Sequence, residues 1–348
     1  MSQTYSICLN TQDGKEISFD CAADENLIDA AAQANITLPA VCHEGNCGAC
    51  HGHCKSGEYE QKSHSSGALS EQDEEHGGIL MCRTFPRGDM IVEVTSDLSH
   101  ITSGPVPEPV CEVLAVDDMG GNVCRLLLKV LPDEQGAINA EFEPGQFMEL
   151  EIPGTDIRRA YSISNAPNWS GELEFMIRLQ PHGKFSSWLL NDAKVGDQLN
   201  TKGPEGSFLL HQAGIAPRRF VAGGTGVAPM LSMLRQMAEF QETHESHLYF
   251  GLTSEEDLFA IDEIEELKAS VANLTAEVCI WKPTATWQGF RGSPVDAFKR
   301  DLEADLAKGI KPDVYLCGPP GLIDAAEKVA EELGLPHTSL FSERFLPG

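Results

Sequence analysis

Hydrophobic and polar residues alternate regularly at the start of the 348-residue chain. In residues 5–21 the alternation continues on both sides of Asp13-Gly14, which predicts two strands joined by a hairpin turn. Residues 23–36 are rich in alanine and predict a helix with Asp24 as its N-cap. A long loop follows, and then two short strands are predicted within residues 77–94. This order of elements predicts an α+β module of the β-grasp type over residues 1–98.

The pattern changes twice in the rest of the chain. Residues 99–109 contain three prolines and a glycine, which indicates an interdomain linker. Residues 110–213 contain apolar strands separated by Gly and Pro turns, with one helix predicted over 184–194, so we expect an antiparallel β-barrel. In residues 214–348 strands alternate with helices. That alternation predicts a doubly wound parallel sheet whose ligand binds at the carboxyl ends of its strands.

The charge balance narrows the classes of partner. The chain has 25 basic and 53 acidic residues, a net charge of -28, so nucleic acid and anionic lipid would be repelled. The acidic surface either serves solubility alone or forms a docking field for a partner with a basic patch. The densest acidic run, Ser70 to His76, is predicted to be a solvated turn.

Targeting signals and cysteine usage point to one compartment. The chain has no run of about 18 apolar residues, so no membrane span is expected. Its first ten residues lack a basic stretch followed by an apolar one, so no signal peptide is expected. Eleven cysteines, an odd number and partly clustered, favour metal ligation in a reducing cytoplasm over a disulfide framework.

The cysteine cluster has the spacing of an iron–sulfur site. Cys42, Cys47 and Cys50 form C-x4-C-x2-C, and Cys82 follows much later in the chain. This is the plant-type [2Fe–2S] arrangement, with three ligands on one loop and the fourth at a distance. A zinc site would require a second close ligand pair, and the loop histidines do not supply H-x3-5-H. We therefore predict a [2Fe–2S] cluster bound by these four cysteines.

Other residues of the same loop have open roles. Cys54, His43, His51 and His53 are either ligands or proton-coupling groups, or they are polar and small residues at the rim of the loop. We favour the second interpretation. Five further cysteines alternate with apolar residues on predicted strands and are expected to be core thiols: Cys8, Cys21, Cys111, Cys124 and Cys279.

Two strings in the predicted barrel suit an aromatic ring with phosphates. Arg159 can pair with a phosphate, Tyr161 can lie flat on a ring, and Ser162 can hydrogen-bond a ring nitrogen. Gly183 and Ser186 lie at the predicted start of a helix, where backbone N–H groups suit a pyrophosphate.

A glycine loop in the predicted parallel sheet suits a dinucleotide. Gly223, Gly224, Thr225 and Gly226 lie between a strand and a helix, although the string departs from the full G-x-G-x-x-G/A fingerprint. After the next strand, residues 254–257 are Ser-Glu-Glu-Asp, whose negative charge would oppose the 2′-phosphate of NADPH. NADH is therefore the expected nucleotide, and the carboxylate that contacts its ribose stays open.

The last two predicted strands bring further candidates to the same edge. Cys317 and Gly318 end the fourth strand, where a nicotinamide could lie, and a buried structural cysteine is the alternative. Glu343 and Phe345 follow the fifth strand, and Phe345 would otherwise serve C-terminal packing.

Taken together, these strings resemble the reductase components of bacterial multicomponent oxygenases, and the similarity covers essentially the whole chain. Residues 142–162, 220–237, 315–326 and 343–348 are most similar to the reductase of soluble methane monooxygenase and its alkane-oxidising relatives. The resemblance implies a β-grasp ferredoxin domain, an FAD-binding β-barrel and an NAD-binding doubly wound domain. It also implies a monomeric reductase whose acceptor is a di-iron hydroxylase component.

The resemblance assigns site residues as well. It implies that Arg159, Tyr161 and Ser162 bind FAD, with Ala160 between them as a departure from the bulkier residue or serine common there. It implies that the string Gly183, Lys184, Phe185, Ser186 holds the FAD pyrophosphate. By the same resemblance the Gly223–Gly226 loop, Cys317 and Gly318 would face the NADH. From their positions at strand ends, we also expect Phe345 at the cofactor, and we expect Ser162, Cys317 and Glu343 to form the reaction centre.

Two alternatives remain at this stage. The acceptor could be a Rieske-type dioxygenase or a phenol or aromatic hydroxylase. A more distant alternative is an iron–sulfur sensor or binding module without enzymatic activity, which would have neither flavin absorbance nor NADH oxidation.

Overall fold

A computed structural model gives the fold of the chain. It describes residues 3–38, 40, 44–45, 48–65, 67–94, 98, 101–104, 106–133, 135–138, 140–211 and 214–345. The chain divides into two compact units. The first comprises residues 1–106 and 205–207, and the second comprises residues 107–204 and 208–348. In the described part of the chain no helix is both long and apolar enough to cross a lipid bilayer.

The first unit is built on a mixed five-stranded sheet. Its elements are β1 (Thr4–Asn10), β2 (Glu16–Ala22), α1 (Leu27–Gln33), β3 (Ile36–Thr37), β4 (His51–Ser56), β5 (Tyr59–Gln61), α2 (Glu71–Glu75), β6 (Gly78–Leu80), β7 (Thr84–Pro86), β8 (Met90–Val94) and β9 (Thr102–Ser103). The sheet has the order β2-β1-β8-β4-β6, and β1 pairs with β8 in parallel. The strand order and the helix α1 confirm the β-grasp prediction.

Local sequence explains the hairpin and the first helix. The β1–β2 turn uses Gly14, whose φ of +72° lies in the left-handed region that glycine adopts without steric cost. Helix α1 is capped by Asn26, whose side chain accepts a hydrogen bond from the backbone N–H of Asp29. The prediction of Asp24 as the N-cap was therefore wrong, because the helix begins a half-turn later.

The acidic run Ser70 to His76 was also predicted wrongly. Residues Glu71–Glu75 form the short helix α2 instead of a turn. The Ser70 hydroxyl accepts a hydrogen bond from the backbone N–H of Asp73 and so caps the helix. Acidic residues in the first turn also suit the positive end of a helix dipole. These two local effects stabilise a helix in a segment that has no apolar periodicity.

The second unit begins with an antiparallel sheet of six strands. Its elements are β10 (Val110–Asp118), β11 (Val123–Val130), β12 (Phe147–Glu151), β13 (Arg158–Ser162), β14 (Glu172–Arg178), α3 (Lys184–Asn191) and β15 (Gln198–Glu205). The strand order is β13-β12-β15-β10-β11-β14. Its buried face carries a hydrophobic core in which Phe175 and Leu126 are fully buried, and helix α3 packs there through Phe185 and Trp188.

A parallel sheet of six strands completes the second unit. Its elements are β16 (Arg218–Gly223), α4 (Val227–Glu239), β17 (Ser246–Leu252), α5 (Ile261–Ser270), β18 (Leu274–Ile280), β19 (Phe290–Arg291), α6 (Pro294–Ala307), β20 (Asp313–Gly318), α7 (Pro320–Glu332) and β21 (Leu340–Arg344). The order β19-β18-β17-β16-β20-β21 reverses direction between β16 and β20. In doubly wound sheets the ligand crevice lies at this reversal, outside the carboxyl ends of the strands.

The predicted core thiols are buried with one exception. Cys21, Cys111 and Cys279 are fully buried and Cys124 nearly so. Cys8 is only partly buried on β1, so its assignment to the core was wrong. The strand β1 has the burial pattern of a half-exposed element, and Cys8 lies at one of its intermediate positions.

Candidate functional site

Two of the four predicted cluster ligands are brought together. Cys50 ends the cysteine loop just before β4, and Cys82 lies in a short 3-10 turn, Met81–Arg83. Their Sγ atoms are 3.2 Å apart and both residues are 2% exposed. This distance exceeds the roughly 2.05 Å of a disulfide bond, and the Met81 N–H donates to the Cys50 carbonyl at 3.0 Å. The pair fits two thiolate ligands of one cluster, while Cys42 and Cys47 lie outside the described residues.

The residues around this cysteine pair also fit a bound anionic cluster. Gly45 and Gly48 have φ values of +76° and +79°, which let a loop turn its N–H groups inward. A Cβ added at Gly45 would lie 2.6 Å from Cγ of Arg83, so this loop packs closely on the residue after Cys82. Burial lowers the pKa of His51 and raises that of the Cys54 thiol, whose Sγ contacts the Ser56 carbonyl oxygen at 3.4 Å. Both groups are therefore held in their neutral forms.

Strand β13 and the start of α3 form one surface in the barrel. The Tyr161 and Phe185 rings have centroids 5.0 Å apart, so the strand and the helix adjoin at these side chains. Burial raises the pKa of the Tyr161 hydroxyl, which keeps it protonated. Arg159 and Ala160 are exposed on the same strand, and the Arg159 guanidinium donates to the Arg158 carbonyl at 2.8 Å.

The N-terminus of α3 is arranged to receive an anion. Gly183 is the N-cap residue and has no side chain to bond the first amides of the helix, which begins at Lys184. The buried Ser186 hydroxyl accepts a hydrogen bond from the Gln180 N–H at 2.9 Å, so its own proton can be donated elsewhere. A Cβ at Gly183 would lie only 3.1 Å from Cβ of Gln180. These features fit a pyrophosphate of FAD next to Tyr161.

The glycine loop after β16 packs closely against the end of β20 and the start of α7. Gly224–Gly226 form a 3-10 turn, and α4 follows with Gly226 as an N-cap that offers no side-chain bond. A Cβ at Gly226 would lie 2.3 Å from the Cys317 carbonyl oxygen, and one at Gly223 would lie 2.7 Å from Leu322. Only glycine fits at Gly226, because the neighbouring atom belongs to the backbone of β20. The loop fits a dinucleotide lying on the helix N-terminus.

Three distant residues meet at the carboxyl edge of this sheet. Cys317 on β20 is the register partner of Glu343 on β21. The Ser162 hydroxyl, at the end of β13, donates to Oε2 of Glu343 at 3.3 Å, and Sγ of Cys317 is 4.0 Å from the same oxygen. The structure thus brings together the three residues predicted for the reaction centre. Phe345 adjoins them through its N–H, which donates to the Gly318 carbonyl at 2.8 Å.

Burial shifts the pKa values of Glu343 and Cys317, the two titratable groups in the trio of Ser162, Cys317 and Glu343. It raises the pKa of Glu343 to about 7, and the hydrogen bond from Ser162 only partly opposes the shift. Burial also raises the pKa of the Cys317 thiol, and the nearby Glu343 carboxylate adds to the effect. At neutral pH the trio therefore holds a protonated thiol beside a carboxyl group that is near its titration midpoint.

Two carboxylates of the acidic segment after β17 form hydrogen bonds with neighbouring protein groups. The Glu255 carboxylate accepts hydrogen bonds from the Thr284 N–H and hydroxyl, which lower its pKa. Asp257 accepts from the Arg178 guanidinium at 3.1 Å and from the Ser254 N–H at 3.1 Å. Glu256 is exposed. The carboxylates of Glu255 and Asp257 are therefore bonded to protein partners, and the carboxylate that contacts the ribose stays a prediction without an assigned residue.

Sequence reasoning missed the contacts that hold Ser162 against the parallel sheet. Arg235 on α4 donates to the Ser164 carbonyl at 2.8 Å and to the Glu174 carboxylate at 2.7 Å. Ser232 on the same helix donates to the Asn165 carbonyl at 2.6 Å. Both contacts reach the segment just after Ser162. The only signal in the sequence is an arginine on a largely apolar helix, which does not identify its partner.

Comparisons with known proteins agree with this arrangement of three sites. Residues 10–87 match a 2Fe-2S iron–sulfur cluster binding domain, residues 111–209 an oxidoreductase FAD-binding domain, and residues 220–328 an oxidoreductase NAD-binding domain. These matches confirm the predicted cofactors.

Two curated relatives and one solved structure extend the comparison over nearly the whole chain. The chain is 37% identical to methane monooxygenase component C of Methylosinus trichosporium, over 88% of this chain and 89% of that protein. It is 34% identical to the anthranilate 1,2-dioxygenase electron transfer component of Acinetobacter baylyi, over 98% and 97%. The crystal structure of the Amycolatopsis cytochrome P450 reductase GcoB superposes with a TM-score of 0.73 and 26% identity, over 98% of this chain and 99% of that one. The chain therefore belongs to the family of NADH-dependent reductases that carry a [2Fe–2S] domain, an FAD-binding domain and an NAD-binding domain and that serve as electron-transfer components of oxygenases.

Proposed function

We propose that this reductase supplies electrons from NADH to the di-iron hydroxylase of a methane- or alkane-type monooxygenase. The meeting of Ser162, Cys317 and Glu343 at the carboxyl edge of the parallel sheet supports the hydride-transfer site. The observation that carries the choice of acceptor is the 37% identity to methane monooxygenase component C over 88% of this chain. We propose that the chain acts as a cytoplasmic monomer. The buried thiols of Cys21, Cys111 and Cys279 suit a reducing compartment.

The chemistry divides between cofactors and protein. When bound, FAD takes two electrons as a hydride and releases them singly, which the iron–sulfur cluster can pass on. Tyr161 would face the flavin ring, and the amides at the start of α3 with Ser186 would bind its pyrophosphate. Arg159, on the exposed side of β13, would pair with a phosphate. The protein mainly positions one ring over the other.

The trio would bind and orient at the point of hydride transfer. The Ser162 hydroxyl lies at the end of β13 beside Tyr161. When FAD binds, Ser162 would redirect its single proton from Glu343 to a flavin ring nitrogen. Cys317, protonated and fully buried beside Glu343, would keep the inner wall of the nicotinamide site uncharged and free of water. Glu343 would hold a negative charge near the nicotinamide, which becomes cationic when it loses the hydride.

The [2Fe–2S] cluster, from which electrons pass to the oxygenase, would be bound by four cysteines: Cys42, Cys47, Cys50 and Cys82. The 3.2 Å approach of the Cys50 and Cys82 sulfurs supports this set. The net charge of -28 favours an acceptor with a basic surface.

A second acceptor class is favoured by a specific observation. The chain matches a dioxygenase electron transfer component over 98% of its length at 34% identity, close to the 37% found with the methane monooxygenase component. An oxygenase of the Rieske type, or an aromatic hydroxylase, is therefore the alternative acceptor.

A coupling assay with purified oxygenase components distinguishes the two. The reductase is mixed with NADH and either a di-iron alkane hydroxylase or a Rieske dioxygenase oxygenase, each with its substrate. We expect NADH consumption to match product formation only with the di-iron hydroxylase. Matched consumption and product with the Rieske component alone would replace the proposed acceptor.

A further inference from the structure

An exposed tryptophan lies at the carboxyl edge of the parallel sheet. Trp281 directly follows β18, and its side chain is 62% exposed. The backbone N–H of Trp281 donates to the carbonyl of Leu252, the last residue of β17, at 3.0 Å, and the backbone N–H of Lys282 donates to the Thr253 carbonyl at 2.8 Å. The backbone at Trp281 is therefore anchored to the end of β17, the strand that follows β16 and the glycine loop.

The loop that follows Trp281 is held in place by hydrogen bonds. Thr284 donates to the Glu255 carboxylate through both its N–H and its hydroxyl. The Arg291 guanidinium donates to the carbonyls of Thr284 and Trp287 at 2.8 and 3.0 Å. A loop fixed at both ends presents Trp281 without a large ordering cost when a ligand binds.

Neighbouring aromatic side chains are used for packing instead. Phe259 is 2% exposed and packs edge-on against Phe250, with ring centroids 5.3 Å apart. Trp287 is half-buried, and its indole N–H donates to the Phe290 carbonyl at 3.0 Å. Trp281 instead exposes its ring, with the Lys282 ammonium 4.8 Å from the ring centroid.

The sheet order sets the direction of the dinucleotide. Cys317 and Glu343 mark the nicotinamide end at β20 and β21, and the glycine loop follows the adjacent strand β16. The ribose in such folds lies at the end of the next strand, here β17, so the adenine continues toward β18. We infer that Trp281 is the platform on which the adenine of NADH stacks, on the ring face opposite the Lys282 ammonium. The inference rests on the proposed NADH site at this edge.

The test compares two hydride donors that differ only in the adenosine part. Trp281→Ala is assayed with NADH and with reduced nicotinamide mononucleotide, which lacks adenosine phosphate, using ferricyanide as acceptor so that the cluster is not required. We expect KM for NADH to rise roughly tenfold, as for loss of one base–aromatic stack, with kcat unchanged. Both parameters for the mononucleotide should stay at the wild-type values, which also shows that the variant is folded.

Two further variants complete the design. Trp281→Phe keeps an aromatic face and should retain most of the affinity for NADH. Trp169→Ala removes a tryptophan that is 98% exposed in the turn before β14, and it should change neither donor. An unchanged KM for NADH in Trp281→Ala, or an equal rise for both donors, would overturn the inference. A wild-type protein that oxidises neither donor would instead overturn the proposed function.

Discussion

The cysteine loop and the carboxyl edge of the parallel sheet place their functional side chains by different means. Three of the four predicted cluster ligands lie in one short stretch of sequence, and the fourth, Cys82, approaches Cys50 from 32 residues away. At the edge, Ser162 and Glu343 are 181 residues apart, and the β20–β21 register adds Cys317. The first site depends mainly on local sequence. The second exists only if the barrel and the parallel sheet are held in one orientation.

This difference predicts how each site fails. A ligand change in the cysteine loop should remove one electron-transfer step and leave the rest of the protein working. A change near the sheet edge should instead slow hydride transfer. The size of the effect should depend on how far Ser162, Cys317 and Glu343 are displaced, or on whether Glu343 loses its charge. Four variants test this contrast.

The largest effect is expected for Cys82→Ser. Removing one predicted thiolate ligand should abolish electron transfer to cytochrome c or to an oxygenase, because the cluster is the exit for single electrons. NADH-driven ferricyanide reduction should be spared, since the flavin reduces this acceptor directly. Cys50→Ser should behave in the same way. The control is Cys54→Ser, a half-buried thiol on β4 that should keep both activities. Survival of both activities in Cys82→Ser would refute the ligand assignment.

The next effect is expected for Gly226→Ala. The added Cβ would lie 2.3 Å from the Cys317 carbonyl oxygen, so the glycine loop or β20 must shift. A displacement of this size should lower NADH-dependent ferricyanide reduction roughly hundredfold while FAD stays bound. The matched control is Gly321→Ala on α7, where no atom lies within 4 Å of the added Cβ. Equal activity in the two variants would show that the loop has more room than the structure indicates.

A smaller effect and a change of pH profile are expected for Glu343→Gln. The pKa of Glu343 is raised to about 7, so its carboxyl group is mainly neutral below this pH and mainly charged above it. A negative charge favours the nicotinamide cation that hydride loss creates, so the rate of flavin reduction should rise as the pH increases through 7. The variant should be about tenfold slower at pH 8 and show no such rise.

Stopped-flow measurement of flavin bleaching by NADH, from pH 6 to pH 9, gives both quantities. Glu331→Gln, an exposed residue of α7, serves as the control and should keep the wild-type profile. A wild-type rate that falls through pH 7 would assign the opposite role to Glu343.

The smallest effect is expected for Arg235→Met. It removes hydrogen bonds to the Ser164 carbonyl and to Glu174, whose side chain is 14% exposed. The loss of a charged hydrogen bond should cost about 2 kcal/mol, which lowers Tm by roughly 4–8 °C in a unit of this size. Flavin reduction should slow as well, because α4 then holds the segment after Ser162 less firmly. Arg300→Met, whose partners Glu277 and Asp301 lie within the parallel-sheet part, should leave flavin reduction unchanged.

Most of the fold was predictable from the sequence because its signals are local. Alternation around Asp13-Gly14, the Gly and Pro turns of the barrel and the strand–helix alternation after residue 214 each specify an element type. The order of the three domain types is confirmed, whereas their exact boundaries remain predictions. The helix Glu71–Glu75 was missed because capping by Ser70, rather than apolar periodicity, stabilises it.

The candidate sites were predictable in kind but not in their contacts. The type of cluster could be predicted from the spacing of four cysteines alone: Cys42, Cys47, Cys50 and Cys82. The comparisons confirm a 2Fe-2S domain over residues 10–87. Glu343 and Ser162 could be proposed from their strand ends, but their 3.3 Å hydrogen bond depends on tertiary packing. The partners of Arg235 and the proposed role of Trp281 could not be predicted from the sequence, because both follow from which strands and helices become neighbours.

The central claim is that NADH electrons pass through the flavin to the iron–sulfur cluster within this chain. An anaerobic titration of the FAD-loaded protein with NADH, followed by visible absorption and low-temperature electron paramagnetic resonance, tests it directly. We expect the flavin absorbance to bleach and the signal of a reduced [2Fe–2S] cluster to appear in the wild type. In Cys82→Ser the flavin should bleach without that signal. A wild-type protein whose flavin bleaches while no cluster signal forms, or whose flavin does not respond to NADH, would contradict the account.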